Sequence, residues 1–236
     1  MHNFLIFDLL SCEYNYILLY PKVNDYIRKR QIHLRDVANS CIFTLFYDII
    51  SKKERDDMPL LKSETSTIDD IYALPDGQRA ELIDGTLYNM SLPNRIHQRI
   101  VFSLARKIAD YIDSKNGDCE VNISPFAVFL NENDTTYVEP DISIICDKNK
   151  LNEHGCNGAP DWILEIVSPG SKRMDYFIKL FKYRTAGVKE YWIIDPLKNL
   201  ITTYNFESET TEIYTFSDKI KAGIYEDLEI DFSNIN

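Results

Sequence analysis

Residues 158–195 read GAPDWILEIVSPGSKRMDYFIKLFKYRTAGVKEYWIID. Two short apolar runs in this stretch, WILEIV and EYWIID, are rich in β-branched and aromatic residues and read as strands. Between them, the segment from about Lys172 to Thr185 reads as a helix stopped at Gly187. Glu165 stands among Trp162, Ile163, Leu164, Ile166 and Val167, where an ionised acid is costly unless a cation or a metal compensates it. Toward the N-terminus, YVEPDISIIC repeats the pattern, with Asp141 at the head of its apolar run.

Further outward, the text continues as an α/β series. VNISPFAVFL reads as one more strand, and RIHQRIVFSLARKIADYID as an amphipathic helix with Ile96, Ile100, Leu104, Ile108 and Ile112 on one face, ending near Asn116-Gly117. AELIDGTLYNM is a hairpin turned by Asp84-Gly85. Ahead of it, a short helix is capped by Ser66 or Thr67 and closed by Pro75 and Gly77. On the C-terminal side, ITTYNF and EIYTF pair as a second hairpin. The order of helix, three strands, helix and strand predicts an α/β fold, a mixed β-sheet flanked by helices, with DISII and WILEIV as central strands.

The 236 residues are 44% hydrophobic, enough for one ordinary domain and some extra sequence. The extra falls at the N-terminus. Residues 1–57 hold eight acids and eight bases, no glycine and no clear amphipathic period, and end in the charge run SKKERDD before Met58. They read as an N-terminal extension, either outside the native product or a small unrelated arm, with the functional domain spanning 58–236. The formal net charge of −11 supplies no global positive field for nucleic acid or an anionic membrane. Any DNA contact must therefore use a local basic patch and metal ions. Cys12, Cys41, Cys119, Cys146 and Cys156 form no CxxC pair and read as reduced cysteines of a cytoplasmic protein. The longest apolar stretches are too short to cross a bilayer, and the first twenty residues lack the basic start of a signal peptide.

Asp141 and Glu165 on neighbouring strands suit a hard divalent cation, since Mg²⁺ commonly takes one or two carboxylates and leaves its other positions to water and phosphate. Such a metal lowers the pKa of a bound water and offsets charge on a scissile phosphate. A lysine beside that water would orient it; Lys179 is the candidate, with Lys172 and Lys182 next. P-loop, GxGxxG, HExxH and GxSxG patterns are absent, which leaves P-loop hydrolysis, Rossmann binding, zincin chemistry and hydrolase-type serine catalysis without support.

From Thr67 to Phe206 the chain resembles the PD-(D/E)XK nuclease superfamily, and more closely its Uma-type family of restriction endonucleases. The resemblance is carried by AELIDG, IHQRIV, EPD, GAPDWILEIVSPGSKRMD and KLFKYRTAGVKEYWIIDP. It implies a restriction-endonuclease-like fold and Mg²⁺-dependent endonuclease cleavage of DNA, with Mn²⁺ as a substitute. Asp141 matches the family's aspartate after proline, Glu165 its strand acid, and Glu81 an upstream glutamate that completes the metal shell. The superfamily's usual lysine would fall on Val167, and Lys179 matches a lysine of the Uma-type pattern instead. Cutting both strands takes two sites, which makes a homodimer an expectation that no residue pattern specifies.

Plainer readings stand beside these. Asp141 can end a strand, Glu165 sit in a structural salt bridge, Glu81 be an exposed strand residue, and Lys179 share a solvated helix face with Lys172 and Lys182. His97 is an auxiliary group, a DNA contact or a surface residue. Asp161 reads as a loop or helix-terminus acid, Asp175 as a helix surface charge, and Tyr183, Tyr191 and Trp192 as core. The rival function is a nuclease-fold DNA-binding or accessory module without effective turnover, which Val167 and the acidic composition favour.

Overall fold

The structure, a computed structural model, describes residues 65–131 and 134–235, so the arm and the boundary expected at Met58 lie outside the described residues. In chain order the elements begin with α1 (Ile68–Tyr72), β1 (Ala80–Ile83), β2 (Thr86–Asn89) and α2 (Arg95–Ser114). They continue with β3 (Glu120–Ile123), β4 (Val128–Phe129), β5 (Ile142–Ile145), β6 (Leu151–Asn152), β7 (Gly155–Asn157) and β8 (Trp162–Ile166). A π-helical segment (Met174–Lys179) runs directly into α3 (Leu180–Ala186), followed by β9 (Glu190–Asp195), β10 (Leu200–Asn205), β11 (Thr210–Thr215), β12 (Lys219–Lys221) and β13 (Glu229–Asp231).

The main sheet has the order β11-β10-β9-β8-β5-β3. Within it β8 and β9 are parallel, joined by the helical crossover, and the other pairs are antiparallel. The mixed sheet expected from sequence is therefore present. Strand alternation sorts side chains between its faces. Trp162, Leu164 and Ile166 of β8 pack with Ile100, Leu104 and Ile108 of α2, and Trp162 meets Trp192 edge to face at 4.9 Å. Ile163 and Val167 point the other way, into a cluster with Tyr183, Tyr191 and Ile193. Glu165 shares that second face. The acid of β8 thus lies on the side of the sheet that carries the crossover.

Local signals explain the frame around it. Asp84 (φ 49°) and Gly85 (φ 73°) are both left-handed, as a two-residue hairpin turn requires, and β1 pairs with β2 as expected. Gly187 ends α3 at φ 95°. β1 is tied to the chain before β5 by Leu82 N–H to Tyr137 O (2.8 Å) and Tyr137 N–H to Leu82 O (2.7 Å). That pairing brings Glu81 alongside Glu139.

Three expectations change. VNISPFAVFL is two strands rather than one, because Pro125 has no N–H to donate to a ladder. The buried stripe of α2 begins at His97, and Ile96 is 53% exposed; repeated spacings of four advance the face by about 40° each, so five in a row leave it. Cys119 and Cys146, read as reduced, are joined in a disulfide. Glu120 lies opposite Ile145 in the β3–β5 ladder, so Cys119 and Cys146 are the next opposing pair. A separation of 27 residues in sequence gives no hint of that adjacency.

Candidate active site

Four elements converge on the crossover face. β1 supplies Glu81, the head of β5 supplies Asp141, β8 supplies Glu165, and the π-helical segment supplies Lys179 and Asp175. The Lys179 ammonium sits 2.9 Å from Glu81 Oε1, 2.9 Å from Glu165 Oε1 and 3.9 Å from Asp175 Oδ1. All four of these residues are buried. The fold therefore brings Glu81, Asp141, Glu165 and Lys179 together. The exposed-strand reading of Glu81 and the solvated-face reading of Lys179 do not describe these positions.

Hydrogen bonds fix each carboxylate. Glu165 Oε1 accepts from Tyr183 OH at 2.8 Å, and Glu165 Oε2 from Asp141 N–H at 3.3 Å. Asp141 Oδ2 accepts from Ile166 N–H at 2.8 Å and faces His97 Nε2 at 3.1 Å. Glu81 Oε1 accepts from Glu139 N–H at 3.0 Å. Glu139 is itself held by the Arg79 guanidinium and by Tyr137 OH, which locks the strand carrying both Glu139 and Asp141. His97 stands at the third position of α2, where Asn94 Oδ1 caps its N–H at 2.9 Å.

Electrostatics here run short of positive charge. Burial pushes the Glu165 carboxyl well up, and Asp141, Asp175 and Glu81 push it further against the pull of Lys179. Burial likewise raises Asp175, to about 6. Burial works against the charge on Lys179, but Glu165, Glu81 and Asp175 outweigh it and hold the ammonium well above its ordinary value. Burial would also lower His97, yet Asp141 and then Asp175 raise it. Three carboxylates around one lysine, with Asp141 adjoining Glu165 and every donor a hard oxygen, fit a divalent hard cation. Among the described residues no three His, Cys, Asp or Glu side chains converge on a single cation position. Two carboxylates with waters and a phosphate oxygen are a sufficient set for magnesium.

Several residues sit differently from their sequence readings. Asp175, which reads from sequence as a surface charge, is 2% exposed and lies about one helical turn before Lys179; its i, i+4 relation to Lys179 is the available signal. Tyr183 is core as expected but also donates to Glu165. Glu139 joins the site without a part assigned to it by sequence, although it lies two residues before Asp141 and so on the same side of an extended chain. Lys172 and Lys182 stay outside the cluster: Lys182 pairs with Asp84 of the β1–β2 turn, and Lys172 meets Lys198. Asp161 is buried, bonded to Lys189 at 2.8 Å and to Cys146 N–H at 2.8 Å, and plays a structural part.

The chain is similar to known proteins in sequence and in fold. The family profile described as "Uma2: Putative restriction endonuclease" matches residues 68–233. A crystal structure of "a putative nuclease belonging to DUF820" from Anabaena variabilis superposes with a TM-score of 0.60 at 19% identity, covering 72% of this chain and 96% of that one. At that identity the likeness is one of fold. The uncharacterized protein slr1290 of Synechocystis sp. is 26% identical over 129 residues, 54% of this chain and 66% of the relative, a little under two thirds of its length. Among the described residues no helix is long and apolar enough to cross a membrane.

Proposed function

Because this chain belongs to the Uma2 family, we propose that it is a Mg²⁺-dependent endonuclease that hydrolyses phosphodiester bonds in DNA. The observation that carries the proposal is the meeting of Glu81, Asp141, Glu165 and Lys179 at one place on the crossover face, although about a hundred residues of sequence separate the first from the last. Asp141 and Glu165 would hold the cation, with Glu81 beside them. When bound, such an ion supplies a water of lowered pKa and neutralises charge on the phosphate.

The protein's own groups have distinct parts. Asp141 engages Ile166 N–H and His97 through Oδ2 alone, which keeps Oδ1 for the cation. Tyr183 and Lys179 orient Glu165 through Oε1. The three carboxylates around Lys179 keep its Nζ protonated, so it acts as a hydrogen-bond donor and a positive charge rather than as the base. In that role it orients the attacking water and offsets charge on the pentavalent phosphorus. Val167, at the superfamily's usual lysine position, favoured a fold without turnover; Lys179 against Glu165 supports the enzyme instead.

The test is incubation of the purified full chain with supercoiled plasmid and Mg²⁺ or Mn²⁺. Nicking or linearisation is expected, blocked by EDTA, with at least a ~100-fold loss in Glu165→Gln and in Asp141→Asn. Cleavage that survives both substitutions would refute the assignment.

A further inference from the structure

The helical segment that carries Lys179 has a second face. Asp175, Lys179 and Tyr183 point into the protein, whereas Arg173, Phe177, Phe181 and Arg184 lie half a turn round and outward. Phe177 is 65% exposed and Phe181 62%. Isolated apolar side chains on a surface need no explanation, but two phenylalanines one turn apart between two arginines form a patterned stripe. Arg173 has no acidic partner among the described residues, and Arg184 only an exposed one, Glu209 at 3.7 Å.

A second feature adjoins the stripe at its N-terminal end. Lys172 follows β8 and Lys198 follows β9, so the parallel pair delivers both lysines to the same end of the sheet. Their ammonium groups meet, and this contact holds Lys172 below the usual lysine value, only partly relieved by Asp195. Two cations in contact form a position that an anion would relieve. This lies on a chain whose formal net charge is −11, where concentrated positive charge is the exception.

We propose that the outer face of residues 172–184, together with Lys198, grips a single-stranded stretch of polynucleotide: Lys172 and Lys198 hold a backbone phosphate, and Phe177 and Phe181 stack on unpaired bases. The inference rests on the nuclease reading and narrows its substrate class. Aromatic platforms interleaved with cations recognise single strands because every base has a face to stack, whereas paired bases in a duplex present only edges. The main rival occupant, a second copy of the chain, is disfavoured by charge. Packing the stripe on itself about a two-fold axis lays Phe177 on Phe181 but brings arginine against arginine at both ends.

Fluorescence anisotropy of the full chain with fluorescein-labelled oligothymidylate in EDTA tests this without turnover, so the result stands whether or not the carboxylates cut DNA. Oligothymidylate should bind more tightly than a hairpin duplex of equal length. The double substitution Phe177→Ser, Phe181→Ser should weaken oligothymidylate binding about 10- to 100-fold and leave duplex binding nearly unchanged. Lys172→Glu with Lys198→Glu should weaken both probes and flatten the salt dependence. Unchanged oligothymidylate affinity in the phenylalanine variant, or an unchanged salt slope in the lysine variant, overturns the proposal. So does a fall from dimer to monomer in sedimentation of the phenylalanine variant, which would make the stripe a self-association face.

Discussion

Asp175→Asn should make this protein more stable, and only above a definable pH. Asp175 is 2% exposed, and burial raises its carboxyl from an ordinary 3.8 to about 6 despite Lys179 nearby and a hydrogen bond from Ser171. A folded pKa above the unfolded one means that ionisation opposes folding. The penalty is absent below about pH 4, where the acid is protonated in both states, and complete above about pH 6, where both states are ionised. The shift of roughly two units corresponds to about 3 kcal/mol. Asparagine keeps the shape of the protonated acid and removes the ionisation. In urea unfolding, the variant should match the wild type near pH 4 and exceed it by up to about 3 kcal/mol near pH 8, or by about 6–12 °C in Tm. The wild type should lose stability between those limits while the variant's curve is flatter by the same amount. A variant equally destabilised at both pH values would refute the reasoning, because Asp175 would then act through its bonds and not its charge.

Lys179→Met removes the cation shared by Glu81, Glu165 and Asp175 and should destabilise the protein by about 3–5 kcal/mol near neutral pH. The remaining carboxylates, raised further, oppose folding only once ionised, so the deficit should shrink on acidification; equal urea midpoint shifts at pH values about three units apart would contradict this. Reduction of Cys119–Cys146, which closes a loop of 27 residues, should lower stability by up to about 3.5 kcal/mol. Thermal melts with and without dithiothreitol, beside a Cys119→Ser, Cys146→Ser double variant, check it, and identical melts would count against the bridge.

The frame was legible wherever a local rule dominates. Asp84-Gly85 specified its turn, Gly187 its helix stop, and the runs around Ile144 and Leu164 their central strands. Glu165 was legible because an acid inside five apolar neighbours has few inexpensive explanations. What escaped depends on facts absent from any local window. The spacing puts Asp175 on the same face as Lys179, but that this face turns inward toward Glu165 follows from how the crossover docks on the sheet, a tertiary fact. The Cys119–Cys146 bridge follows from the β3–β5 register, a tertiary fact. Glu139 lies within the EPD motif, yet its part as the anchor beside Glu81 appears only once β1 is docked through Leu82 and Tyr137.

The lysine's seat on the crossover, rather than on β8, separates two kinds of adjustment. A residue gained or lost within β8 would flip every side chain after it to the opposite face of the sheet and scatter the core. A residue gained or lost between Pro169 and Met174 leaves the sheet untouched and rotates the following helical segment by about 100°, exchanging which side chain is aimed at Glu165. The connection therefore behaves as a vernier for the cation, set independently of the strands that hold the carboxylates, and position 167 is freed to close the core with valine.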